Sequence, residues 1–375
     1  MTPLGREIAE LIAAEGPISV ERFMSLALSH PQHGYYRSRH PIGAKGDFIT
    51  APEISQMFGE LIGLWAADCW SRMGRPGKFN LVELGPGRAT LMLDALRALR
   101  VMPNFLRAAS VHLVETSEAL RECQRAALIP TRPEPAAAGL PRIDQDRCPT
   151  ATIAWHGSLQ DIPEAPLILI ANEFLDALPV RQFVFARDGW HERLVGLDEK
   201  GALAFGVAGA VEPSLRGTAP PGAILEICSQ AIVLTAEIAR RVVAHGGVAL
   251  LIDYGHARPG FGDTLQAVSN HARADPLHAP GEVDLTAHVD FAAIAQAARR
   301  AGAAVLGPVT QGEFLRNLGI EGRAAKLKSR ATPAQGAAVD AALLRLTGEG
   351  PAEMGALFKV MAIADLRLGE LAGLA

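Results

Sequence analysis

Short runs of consecutive apolar residues recur along this chain, separated by stretches whose apolar positions fall three and four residues apart. FNLVEL (79–84), SVHLVE (110–115), TIAWH (152–156), LILIAN (167–172) and GVALLIDY (247–254) are runs of the first kind. Strands buried on both faces read this way, and such strands belong to parallel sheets covered by helices. Helical spacing separates several of them, as in Thr90 to Leu99 and Ser117 to Leu128. The pattern therefore predicts strand–helix–strand crossovers and an α/β fold. AAVLGPV (303–309) and LFKVMAI (357–363) are candidates for the last two strands, with helices inserted between them.

Other segments break this rhythm. Ile8, Leu11 and Ile12, then Val20 to Leu28 behind a Ser19 cap, predict two short N-terminal helices. His33 to Phe48 has no period and is rich in Gly, Pro, aromatic and basic residues, so it reads as a long loop of the kind that often carries function. Thr50 followed by Glu53 is a capping-box pattern, after which Ile54, Phe58, Leu61, Ile62 and Trp65 lie on one helix face. Pro130 to Pro141 reads as a loop, while Val180 to Val211 alternates around Asp188-Gly189 and Lys200-Gly201, predicting hairpins that leave the sheet. The expected organisation is N-terminal helices and a loop (1–50), a core (51–180), an inserted hairpin and helical region (181–245), and the rest of the core (246–375).

Composition narrows the function classes. A chain of 375 residues, 49% of them hydrophobic, can build a large α/β domain with a smaller companion. Lys plus Arg number 36 against 40 Asp plus Glu, so there is no electrostatic reason to expect a nucleic-acid partner. Cys69, Cys123, Cys148 and Cys228 lack CxxC spacing, which fits a reducing compartment and argues against disulfides or a zinc knuckle. The opening MTPLGREIAELIAAEG resembles neither a signal nor a transit peptide, and no apolar run reaches the ~18 residues of a membrane span. A cytoplasmic protein without membrane insertion is expected, and nothing in the pattern sets an oligomeric state.

The candidate chemistry begins where the first core strand ends. Glu83-Leu84-Gly85-Pro86-Gly87-Arg88-Ala89-Thr90 leaves a strand, turns on two glycines and enters an amphipathic helix. Without Cβ atoms, Gly85 and Gly87 let the backbone approach a ligand in the crevice beyond the strand. A Walker loop would need Gly-Lys-Ser/Thr, and a dinucleotide fingerprint would place Gly or Ala where Thr90 stands. Glu83, two places before the first glycine, suits S-adenosyl-L-methionine (SAM), whose cationic methionine end a carboxylate attracts. The second strand ends in Glu115, about 30 residues after the turn, where an acid accepts hydrogen bonds from both ribose hydroxyls. NAD stays open as a rival because acids hold its ribose too, although no hydride-transfer site is evident. A tight structural loop and a helix-capping acid are the bland alternatives.

At the end of the fourth strand, Asn172, Glu173 and Asp176 crowd polar groups where open α/β sheets bind ligands. They read either as helix-start acids or as recognition of a cationic substrate. The histidines, including His256 after Asp253-Tyr254-Gly255, match no zinc motif, so no metal is expected. His256 is open to a proton-transfer or a structural role.

These residues carry a family resemblance. GDFITAPEISQMFGE (46–60), ELGPGRATLM (83–92), LVETS (113–117), ANEFLDALPV (171–180), DYGH (253–256) and HAPGEVDLTAHVDF (278–291) resemble the MidA-like methyltransferase family across roughly residues 5 to 320. That family includes an arginine methyltransferase needed for assembly of respiratory complex I. The resemblance implies a Rossmann-like seven-stranded SAM-methyltransferase sheet with N-terminal helices and an inserted smaller subdomain at Val180–His245. It implies SAM as cofactor, held by Gly46, Thr50, Glu83, Gly85, Gly87, Glu115 and Asn172, with Gly46 to Thr50 closing over it. It further implies a protein substrate, such as a respiratory NADH dehydrogenase subunit, whose arginine Glu173 and Asp176 would grip. Members commonly continue Gly-Pro-Gly-Arg-Gly-Thr, whereas this chain has Ala89. A small-molecule methyltransferase and a non-catalytic SAM-binding assembly factor are the alternatives.

Overall fold

All seven apolar runs become strands of one sheet in the computed structural model, which describes residues 1–38, 50–129, 151–269 and 272–374. They are β1 (Phe79–Leu84), β2 (Ala109–Val114), β3 (Thr152–His156), β4 (Leu167–Asn172), β5 (Gly247–His256), β6 (Ala304–Thr310) and β7 (Phe358–Ala364). Their order across the sheet is β6-β7-β5-β4-β1-β2-β3. β1 to β5 run parallel, and β7 lies antiparallel to both β5 and β6. Every residue of β1 and β4 is buried, as their unbroken apolar sequences require. From β1 the chain winds outward through β2 and β3, then returns to β4 on the other side. The carboxyl ends of β1 and β4 therefore flank the point where strand order reverses, the usual ligand crevice of an open α/β sheet.

The chain divides into two compact units. One comprises Ile49–Glu173, Ala236–Tyr254 and Ala295–Ala375, and the other Met1–Phe48, Phe174–Thr235 and Gly255–Ile294. In the sheet unit, Phe58, Ile62 and Trp65 of the Gln56–Arg72 helix join Leu81, Leu113, Ile170 and Leu250 in one core. That helix closes on the Thr90–Ala98 helix through two glycines. A Cβ at Gly63 would fall 2.8 Å from Ala95 Cα, and one at Gly59 2.7 Å from Asp94 Cβ. Beneath the site, Asn80 Nδ2 donates to Pro163 O, so Asn80 Oδ1 must accept from His112 Nε2, and His112 Nδ1 in turn accepts from His156 Nε2. This neutral relay ties β1, β2 and β3 together, and burial pushes His112 down to about 4. The helices Gln311–Asn317, Ile320–Lys328 and Pro333–Thr347 stand between β6 and β7, as the pattern predicts. Arg323 fixes them with a two-pronged bond to Glu60, at 2.7 and 3.0 Å.

The expected capping box at Thr50 does not form. Thr50 makes no side-chain cap bond, the helix stops after one turn (Ala51–Ile54), and Ser55 caps a new helix at Gln56 by accepting from Met57 N. The reason is tertiary, because Glu53 is drawn away from the cap to Arg88 and Thr90.

In the other unit, helices Pro3–Glu15 and Val20–Ser29 are capped by Thr2 and by the expected Ser19. Leu4, Ile8, Phe23 and Met24 from these helices form a second core with Tyr35, Val195 and Leu285. The predicted hairpins form here as Arg181–Ala186, Gly189–Leu197 and Leu203–Val211, with Ile224–Ile227 pairing back on the first. Arg181 locks this sheet through two bonds to Glu192, at 2.8 and 2.9 Å. Gly46, the Pro130 to Pro141 loop, Cys148 and His271 lie outside the described residues.

Candidate functional site

Beyond β1, the backbone is left-handed at every second residue: Gly85 (φ 58), Gly87 (φ 54) and Ala89 (φ 62). Gly85 N donates to Val114 O, which anchors the turn to the end of β2, and Ala89 N closes it onto Pro86 O. The two glycines adopt this conformation freely, whereas Ala89 carries a Cβ in it and is fully buried. Without a side-chain cap at Ala89, the Thr90–Ala98 helix starts with N–H groups free of that partner, a polarity suited to ligand oxygens.

Two buried oxygens at this edge have no hydrogen-bond partner among the described residues: Glu83 Oε2 near the end of β1 and Asn172 Oδ1 at the end of β4. Burial pushes the Glu83 carboxyl up to about 8. A buried carboxyl oxygen left unbonded is costly unless a donor arrives, and a ligand ammonium is such a donor. The residues therefore fit the amino-acid end of SAM.

Glu115, just past β2, is also buried, yet it is bonded. Its Oε1 accepts from Ser117 N at 2.8 Å and its Oε2 from Gln124 Nε2 at 3.3 Å. Burial raises its pKa, while the Ser117 and Gln124 donors and the Arg121 charge oppose the rise. A carboxylate has about four acceptor positions, so capacity remains for ribose hydroxyls. Gln124 was not singled out from the sequence, although a glutamine four residues after the buried Leu120, on the inner face of a helix, was the available signal.

The remaining candidates separate. Ala51 N donates to Glu173 Oε1 at 2.8 Å, and Asn172 Nδ2 donates to the same oxygen at 3.1 Å. Glu173 is held at φ 49, strain of the sort found at functional positions. Its carboxylate thus holds the start of the Ala51–Ile54 turn, while Glu53 in that turn holds Arg88 and Thr90. Thr50 is half-buried immediately before Ala51. Asp176 belongs to the other unit, where it is buried and its carbonyl accepts from Ala287 N at 3.0 Å. The Tyr36 hydroxyl there donates to Asp284 at 3.1 Å. Burial, then the charges of Asp284 and Asp176, hold that phenol well above its ordinary range. Neither Tyr36 nor Asp284 was expected from sequence. His256 is half-buried, with Nδ1 bonded to Arg258 O at 2.7 Å. Among the described residues, no group of three His, Cys, Asp or Glu side chains is placed to hold a metal ion.

Comparison with known proteins places these features in a family. Residues 61–309 match the family model described as "Putative S-adenosyl-L-methionine-dependent methyltransferase". A mouse protein named protein arginine methyltransferase NDUFAF7, mitochondrial, is 38% identical over 339 residues, covering 88% of this chain and 77% of its own. The Drosophila melanogaster homolog is 36% identical over 377 residues, covering 96% and 84%. A Burkholderia thailandensis structure bound to S-adenosyl-homocysteine is 29% identical with a TM-score of 0.80, covering 99% of this chain and 94% of that one. The mitochondrial relatives overturn the expected cytoplasmic localisation. Charge balance and the lack of a long apolar run are common to water-soluble proteins of any compartment, so they never discriminated between compartments.

Proposed function

We propose that this chain, which belongs to that family of SAM-dependent methyltransferases, methylates an arginine side chain of a protein substrate, of the class of a respiratory NADH dehydrogenase subunit. Its cofactor is SAM. The observation that carries the reading is the polar run Asn172, Glu173 and Asp176 where β4 ends, in a chain whose relatives, matched over most of their length, are named arginine methyltransferases.

When bound, the cofactor supplies an electrophilic methyl group. Gly85 and Gly87 would admit it, Glu83 and Asn172 would receive its amino-acid end, Glu115 its ribose, and Gly46 and Thr50 would cover it. A guanidinium is protonated at every physiological pH and its lone pairs are delocalised, so it is a weak nucleophile. Glu173 and Asp176 would orient one nitrogen and draw positive charge onto the others, which lowers the barrier mainly by alignment and electrostatics. Methylation of a guanidinium nitrogen releases one proton, for which a carboxylate is a suitable acceptor.

The test is incubation of the purified protein with methyl-labelled SAM and a purified NADH dehydrogenase subunit, in parallel with a lysate, followed by mass spectrometry. Label on arginine side chains is the expected result. Label found only in small molecules would sink the protein-substrate reading while leaving cofactor use intact.

A further inference from the structure

Gln124 stands on the inner face of the Glu118–Leu128 helix with no exposed surface. Both N–H groups and the oxygen of its amide are bonded. Nε2 donates to Gly87 O at 2.8 Å and to Glu115 Oε2 at 3.3 Å, and Oε1 accepts from Trp155 Nε1 at 2.9 Å. Inverting the amide would turn its oxygen toward a carbonyl and a carboxylate, and its N–H groups toward an indole donor, so only this orientation is consistent. One side chain thereby joins the turn after β1, the acid after β2 and the middle of β3.

We infer that Gln124 is a positioning residue of the cofactor site, fixing the Gly87 peptide and the Glu115 carboxylate relative to each other so that both are ready when the nucleoside enters. The inference rests on the reading that Glu115 receives the ribose. Its chemistry explains why an amide stands there. A lysine or arginine would pair with Glu115 and consume its charge, whereas a neutral amide donates one hydrogen bond and leaves the carboxylate strong enough to accept from hydroxyls. A leucine would fill the space but leave Gly87 O and the Trp155 indole without this partner.

Preorganisation of this kind lowers affinity when lost without changing what the ligand touches. It also has a signature in pH. Glu115 must be ionised to accept two hydroxyl protons, and among the described residues the charge that acts on it is Arg121, whose Nε donates to Glu115 O at 2.7 Å. Removing the Gln124 donor takes away one of the interactions that oppose the upward pull of burial on Glu115. Affinity then starts to fall at a higher pH as the solution is acidified.

The experiment is S-adenosyl-homocysteine calorimetry on the full chain across pH 5.5 to 8, with wild type, Glu115→Gln, Gln124→Leu, Trp155→Phe and the Glu115/Gln124 double variant. Gln124→Leu and Glu115→Gln are each expected to weaken binding by about tenfold, a size typical of losing a hydrogen bond to a charged group. The double variant should weaken it by less than their product, because the two side chains share an interaction. The Gln124→Leu profile should shift to higher pH, which a purely structural defect would not cause. If Glu115→Gln binds like wild type, the ribose reading falls and the inference with it. If Glu115→Gln is weakened while Gln124→Leu stays within about twofold of wild type at every pH, the Gln124 inference alone is overturned. Should Gln124→Leu fail to melt cooperatively, Trp155→Phe decides, with about threefold weaker binding in support and wild-type affinity against.

Discussion

The turn after β1 and the acids after β4 are built on opposite principles. Around the turn, Glu83, Gly85, Gly87 and Ala89 come from seven consecutive residues, and the next strand and helix contribute Glu115 and Gln124. Gly85 is held by the end of β2, Gly87 by Gln124 and Ala89 by Pro86 within the turn, and oxygens of Glu83 and Asn172 have no partner among the described residues. Around Asp176, the surroundings come from two distant segments, one holding Tyr36 and the other Asp284 and Ala287. The first region is local because parallel strands place it from both sides. The second is assembled from loops and short strands far apart in the chain.

Substitutions in the two regions should separate binding from turnover. The largest effect is expected for Asp176→Asn, which keeps the side-chain shape but removes the charge. Methylation of an arginine substrate should fall about a hundredfold, with S-adenosyl-homocysteine affinity unchanged. A wild-type rate would break the comparison at its second term. Gly87→Val should do the reverse at the other region, costing at least about tenfold in cofactor affinity. A branched side chain at φ 54 strains the turn and, on the proposed reading, would stand where the cofactor approaches. Calorimetry finding unimpaired binding would remove the turn from the site.

A pH measurement sharpens the same side. Because burial holds Glu83 at about 8, above its ordinary 4.5, the folded protein keeps a proton there that the unfolded chain has lost. This contribution to stability is therefore present below about pH 4.5 and lost as pH rises toward 8. An incoming ammonium reverses the bias, so binding near pH 7 should release a proton, visible as buffer-dependent calorimetric enthalpies. Glu83→Gln should abolish the release, and a buffer-dependent enthalpy that survives it would assign the proton elsewhere.

The smallest effect belongs to Ala89→Gly. Relieving a buried alanine from the left-handed region should raise unfolding stability by about 1 kcal/mol, measured in urea, without weakening the cofactor. A loss of stability would mean that the Ala89 methyl group packs well enough to outweigh its strain.

Much of this was legible in sequence because parallel strands buried on both faces leave an unmistakable apolar run, and all seven runs became strands. The positions of the glycines, Glu83 and Glu115 at strand ends were legible for a related reason, since the turn that leaves a buried strand is written within a few residues of it. The Thr50 capping box misled because local pattern competes with distant partners, and Glu53 found Arg88 and Thr90 instead.

The sequence by itself determined the α/β class, the sheet's strands and the position of the glycine turn after β1, because these follow from periodicity and from backbone freedom at glycine. Only the tertiary structure decided that Glu173 anchors the turn at Ala51, that Asp176 shares its surroundings with Tyr36 and Asp284, and that Gln124 links Gly87 to Glu115. Those are hydrogen bonds and charges between residues far apart in the chain, and no local pattern encodes which buried donor will meet which acceptor.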